Sequence, residues 1–216
     1  MVRIIVDSST LWTVEQGKAL DIDVVPLAVT INNKTYREYE EINAKEFVEI
    51  INQGNVPTSS QPPVGEYIDL FEKYADDEIL VICIADGLSG AYQTCLSAAK
   101  MTGRDNIEVI NSKTLSIPHR LLVEDAIAMR DAGSSFKDIV AMCYEKIETS
   151  ISFLFPQDFE FLKRGGRLTS MAATLSGLLR IRPVVIQSED GARIEKFSVG
   201  RNFSIGVNKV LEHLEH

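Results

Sequence analysis

The run EILVICIA, Glu78–Ala85, constrains this chain more than any other stretch. It is apolar without alternation, so both of its faces must be buried. A strand buried on both faces belongs in a parallel sheet covered by helices on each side. The rest of the first 150 residues fits that frame. VRIIV, DIDVVPLAVTI and IEVINS have strand composition, and Pro26 marks a bulge or an edge in the second of them. Between the strands lie helical patterns. NAKEFVEIINQG closes on Gly54, Val64, Tyr67, Ile68 and Phe71 recur at helical spacing, and Phe136, Ile139, Val140, Cys143 and Ile147 form one stripe. Strands alternating with helices at this spacing predict a doubly wound α/β fold.

The pattern changes at Ile151. ISFLF predicts a strand and LTSMAATLSGLL a helix of small residues. IRPVVIQ and ARIEKFSV are joined by SEDG, a hairpin turn that demands antiparallel pairing. The expected organisation is a parallel α/β domain over residues 1–150 and a smaller α/β domain with antiparallel strands over 151–216. The chain closes within a helical pattern, KVLEHLEH, so the second domain is expected to be truncated, and His213 and His216 carry no functional weight.

Composition narrows the function. A net charge of -9 argues against nucleic acid or an anionic membrane surface as partner. The three cysteines lack C-x-x-C spacing and sit in apolar settings, which predicts buried free thiols and no zinc site. No signal peptide or membrane-spanning segment is apparent, and a cytoplasmic location without metal or cofactor is expected.

Three polar clusters stand out. In ADGLSGAYQT, Ser89 lies between the apolar run and a helix spanning Gly90–Met101, one residue from the G-x-S-x-G elbow of serine hydrolases. A nucleophile needs a base, and the sole internal histidine is His119. Ala91 also stands where the elbow has its last glycine. The alternative is a helix cap, with Ser89 and the amides after it facing an anion favoured by the helix dipole. In PTSSQPP, Thr58, Ser59 and Ser60 precede a helix with proline in its first turn. Asp7 and Ser8 end the first strand. In a doubly wound sheet such groups gather beyond the carboxyl ends of the strands. The third cluster, FLKRGGRLTS, sets Lys163, Arg164 and Arg167 around two glycines, and arginine there suits an oxyanion. It is neither a Walker A loop nor a dinucleotide fingerprint.

DSS, PTSSQPP, GLSGAYQTC, FLKRGGRLTS and LSGLLRIRPVV…DGARI occur in that order between about residues 3 and 201. The ordered set resembles the DegV family, whose members serving a fatty acid kinase are the FakB-type fatty-acid-binding proteins. The resemblance implies two α/β domains with a long-chain fatty acid between them. It places the carboxylate on the hydroxyl of Thr58 or Ser59 and on Ser89 with Gly90, and gives Arg167 a contact to the head group or a phosphate. It implies a binding protein and no enzyme: a separate ATP-binding kinase subunit would phosphorylate the acid. Where the family usually has Thr before S-Q-P this chain has Ser59, with Thr58 one place earlier, and the choice between the two hydroxyls stays open. Other readings are a serine hydrolase using Ser89 and a binder of phosphorylated ligands. Each buried methylene contributes about 0.8 kcal/mol, so a long acyl tail supplies on the order of 10 kcal/mol and the polar clusters orient the head.

Overall fold

The computed structural model describes residues 1–167 and 182–215, without the side chains of residues 159, 160 and 163. The helix expected at residues 168–179 lies outside the described residues. Two compact units divide the chain, Met1–Thr149 and Ser150–His216.

The first unit runs β1 (Val2–Asp7), a 3-10 turn (Ser8–Thr10), α1 (Val14–Ala19), β2 (Ile22–Val25), β3 (Ala28–Ile31), β4 (Lys34–Arg37) and α2 (Ala44–Asn52). It continues with β5 (Thr58–Ser60), α3 (Val64–Lys73), β6 (Glu78–Cys83), α4 (Ala91–Thr102), β7 (Ile107–Asn111), α5 (Ser116–Asp131) and α6 (Phe136–Glu148). Strands β2, β1, β6 and β7 form, in that order, a four-stranded sheet whose pairs are all parallel. Alternation along each strand divides the core in two. Ile4, Val6, Leu80 and Ile82 pack with Leu122, Val123, Ile139 and Cys143 of α5 and α6. Ile5, Ile79, Val81 and Cys83 pack on the other face with Tyr67, Phe71, Cys95 and Ala98 of α3 and α4. This double burial is what the unalternated run demanded. All three cysteines are buried free thiols, and burial pushes the Cys143 thiol up to about 12.

DIDVVPLAVTI is two strands rather than one. The chain leaves the parallel sheet at Pro26, which has no N–H for a ladder. Leu27 is then pinned: its N–H donates to Ser8 Oγ at 2.9 Å and its carbonyl accepts from Glu38 N at 2.9 Å. The second half, β3, centres a separate antiparallel sheet of order β4-β3-β5. Its hairpin turns on Asn32 and Asn33, with φ of 52° and 62°, the left-handed pair of a type I′ turn.

The second unit contains β8 (Phe153–Leu154), α7 (Phe159–Arg164), β9 (Arg182–Gln187), β10 (Ile194–Gly200) and α8 (Phe203–Leu214), with an antiparallel sheet of order β10-β9-β8. The SEDG segment makes the expected turn. Asp190 Oδ1 accepts from Ala192 N at 3.0 Å and Ser188 Oγ accepts from Arg193 N at 3.0 Å. Among the described residues no helix is long and apolar enough to cross a membrane, and no cluster of His, Cys, Asp and Glu could hold a metal ion.

Candidate functional site

The strand order reverses direction between β1 and β6, the point at whose carboxyl ends doubly wound sheets bind ligands. Asp7 ties the two loops together. Its carboxylate is buried, with Oδ2 accepting from Ile84 N at 2.7 Å and Oδ1 from Ser9 N at 3.0 Å. Ser8 is also spent internally, donating to Glu38 at 2.7 Å and accepting from Leu27 N. Asp7 and Ser8 therefore brace the loop after β1, with their polar groups used internally.

Ser9 Oγ lies 3.0 Å from His119 Nδ1, and His119 Nε2 lies 3.1 Å from the Ile82 carbonyl. A carbonyl only accepts, so Nε2 carries the proton and Nδ1 accepts from Ser9. His119 is fully buried, and desolvation holds it below its ordinary range although Asp7 pulls the other way. The linkage sign follows. Above the unfolded value near 6.5 both states are neutral and the histidine imposes no penalty; below it the unfolded chain takes up a proton that the native site resists. Stability is expected to fall as pH drops below about 6.5, and His119→Gln should flatten that part of the profile in urea titrations at pH 5 to 7.5. A slope unchanged by the substitution would show that other groups set it.

Ser89 ends a turn in which its N–H donates to the Ala85 carbonyl at 3.2 Å. The helix begins one residue later than expected, at Ala91, and its N-cap is Gly90 rather than Ser89. Ser89 Oγ accepts from Ala91 N at 3.2 Å, so the serine still serves the helix start from one position outside. The amides of Gly90 and Tyr92 make no hydrogen bond among the described residues. Ser89 and Gly90 are half-buried. His119, committed to Ser9 and Ile82, is not bonded to Ser89. The start of α4 thus offers two unbonded amides, and among the described residues no histidine is bonded to Ser89.

Thr58, Ser59 and Ser60 do not start a helix. They form β5, paired with Thr30, Val29 and Ala28 of β3, and α3 begins only at Val64 after Pro63 as N-cap. Pairing with β3 holds them extended, and successive side chains then point to opposite sides. Thr58 and Ser59 therefore cannot face the same way. Gln61 precedes Pro62, which keeps Gln61 extended as well. Alternation puts Gln61 on the side of Ser59, away from Thr58. The Gln61 side chain lies against Gly90, where an added Cβ would meet its Cδ at 3.2 Å and its Nε2 and Oε1 at 3.3 Å. Gln61 is the residue that joins the PTSSQPP and GLSG segments. In the sequence nothing marks Gln61 beyond its place in the PTSSQPP segment.

Arg167 belongs to the second unit. It is half-buried after α7, where Gly166 has φ of 77° and Arg167 Nη1 donates to the Gly165 carbonyl at 2.5 Å.

Comparison with known proteins places the chain in a family. The sequence model of the DegV family matches residues 1–216. A DegV domain-containing protein of Caldanaerobacter subterraneus is 30% identical over 192 residues, which cover 88% of this chain and 68% of that protein. The chain thus spans about two thirds of the length of such relatives. DegV of Bacillus subtilis, described as a fatty acid binding protein, superposes with a TM-score of 0.84 at 27% identity, covering 99% of this chain and 77% of that one. A fatty acid binding DegV family protein of Streptococcus agalactiae gives a TM-score of 0.87 at 26% identity, covering 100% and 77%.

Proposed function

This chain belongs to the DegV family, and from that premise we propose that it binds a long-chain fatty acid and presents the carboxylate to a separate ATP-dependent fatty acid kinase. The observation that carries the reading is the seating of Gln61 on Gly90. It brings the Ser59 side of β5 toward a helix start whose Gly90 and Tyr92 amides have no partner among the described residues. A carboxylate fits such donors, because it accepts several hydrogen bonds and is favoured by the helix dipole. The fatty acids bound by structural relatives in Bacillus subtilis and Streptococcus agalactiae supply the ligand class.

In this reading Ser89 and Ser59 donate to the carboxylate, and Thr58, on the opposite side of β5, does not. Arg167 is kept as a candidate contact to the head group or to a transferred phosphate, on the strength of its G-G-R motif. The chain performs no chemistry itself. The kinase makes the acyl phosphate, which places the pair in the cytoplasm where ATP is available.

Mass spectrometry of lipid extracted from the purified protein is expected to find a fatty acid. Ser89→Ala and Ser59→Ala should each weaken binding of labelled palmitate about ten- to a hundredfold, the worth of one hydrogen bond to a charged group. Thr58→Ala should change it less than twofold. A lipid-free protein that takes up neither palmitate nor oleate would overturn the proposal, and equal losses for Ser59 and Thr58 would overturn the assignment within it.

A further inference from the structure

The buried face of α3 carries a polar group that its surroundings do not use. Tyr67 is 0% exposed, and its hydroxyl has no hydrogen-bond partner among the described residues. Its ring packs among Phe71, Val81, Cys83, Cys95 and Ala98, a setting in which phenylalanine would leave nothing unsatisfied. An unmet buried hydroxyl costs about 1–3 kcal/mol. Groups of this kind are uncommon in native proteins and point to a missing water, ion or ligand.

The position of that hydroxyl says which. A helical side chain leans toward the N-terminus of its helix, and the N-terminus of α3 follows Gln61, Pro62 and Pro63 directly. Its neighbour Cys83 ends β6, and Cys95 lies just inside α4, whose start carries Ser89 and Gly90. Both carboxylate oxygens of Asp7 already accept an amide, and neither receives the Tyr67 proton. The phenol thus lies near Asp7 and Cys83, the residues that end β1 and β6 at the carboxyl edge of the sheet, with its proton unassigned.

We propose that Tyr67 is a further positioning residue of the binding site, its hydroxyl donating to the carboxylate that Ser59 and Ser89 hold. The assignment rests on the fatty-acid reading above. Burial pushes the phenol well above its usual range, so it remains a donor at neutral pH. The donor favours an acid over an ester: a hydrogen bond to a charged carboxylate is worth about 1.5–3 kcal/mol, against about 0.5–1.5 kcal/mol to the neutral carbonyl of an ester.

The test is Tyr67→Phe in the full chain, which removes one oxygen and no packing. Palmitate affinity is expected to fall about ten- to a hundredfold, affinity for methyl palmitate to fall by a clearly smaller factor, and the ligand-free protein to unfold at the same or a higher temperature. The carboxyl resonance of bound 13C-labelled palmitate should shift in the variant. Unchanged palmitate affinity together with an unshifted resonance would overturn the assignment and leave the hydroxyl to a water. Failure of the unaltered protein to bind palmitate would instead remove the fatty-acid reading, and this assignment with it.

Discussion

Asp7→Ala is expected to cost about 3–5 kcal/mol of stability and to abolish ligand retention, although both Asp7 carboxylate oxygens are committed to backbone amides. The aspartate is 1% exposed and accepts from two backbone amides, Ile84 N at 2.7 Å and Ser9 N at 3.0 Å. Hydrogen bonds to a charged acceptor are worth about 1.5–3 kcal/mol each, and alanine would also leave the amides unpaired. Ile84 matters most, because it leads into Ala85, whose carbonyl receives the amides of Leu88 and Ser89. Freeing Ile84 loosens the turn that sets Ser89 before α4. Asp7→Asn should be intermediate, since its amide keeps one acceptor oxygen and turns an NH2 toward a donor. Urea denaturation gives the stability change, and hydrogen exchange at the Ile84 amide should accelerate in step with it. A loss below about 1 kcal/mol would show that water replaces the carboxylate and that the loops are held by other contacts.

The fold was legible where burial wrote it into composition. EILVICI announces a strand covered on both faces, and β6 lies at the centre of the parallel sheet with α3 and α4 on one side and α5 and α6 on the other. SEDG announced the hairpin of β9 and β10 because a turn is decided by the residues within it. The small antiparallel sheet was missed for two reasons. The type I′ turn at Asn32 and Asn33 lacks the glycine that usually flags it, although asparagine tolerates the left-handed region. Thr58–Ser60 are strand residues because β3, some thirty residues earlier, pairs with them. Alone, a hydroxyl run before two prolines reads equally well as a helix start.

The site was legible as a set of segments and not as contacts. DSS, PTSSQPP and GLSG were each picked out, yet the bonds that organise them join distant positions: Asp7 to Ile84, Ser9 to His119, Gln61 to Gly90. Periodicity placed Tyr67 on the buried stripe of α3, but periodicity carries no information about a hydroxyl left without a partner. The cap is the smallest error and the most instructive. Serine is the better N-cap by propensity, yet Gly90 takes the position, with the Gln61 side chain beside it, while Ser89 still serves the Ala91 amide from outside.

That crowding yields the sharpest functional test. Gly90 has φ of −71°, a conformation open to any residue, and an added Cβ meets only the end of the Gln61 side chain, at 3.2–3.3 Å. Gly90→Ala should therefore fold normally and bind palmitate within about threefold, because a flexible amide can retreat by a few tenths of an ångström. Gly90→Leu is different. Its branched end must displace Gln61 and lie across the Ser89 hydroxyl and the Gly90 and Tyr92 amides, where the carboxylate is proposed to sit. Palmitate binding should weaken at least about thirtyfold, or roughly 2 kcal/mol, while stability stays within about 1 kcal/mol because no backbone is pushed. Adding Gln61→Ala to Gly90→Leu separates two causes. If displacement of Gln61 alone weakens binding, the double variant behaves like Gln61→Ala; if the leucine fills the carboxylate position, the double variant remains as weak as Gly90→Leu, and this is the expected result. Palmitate binding unchanged in Gly90→Leu would move the site away from the start of α4, because a leucine there cannot share that space with a carboxylate.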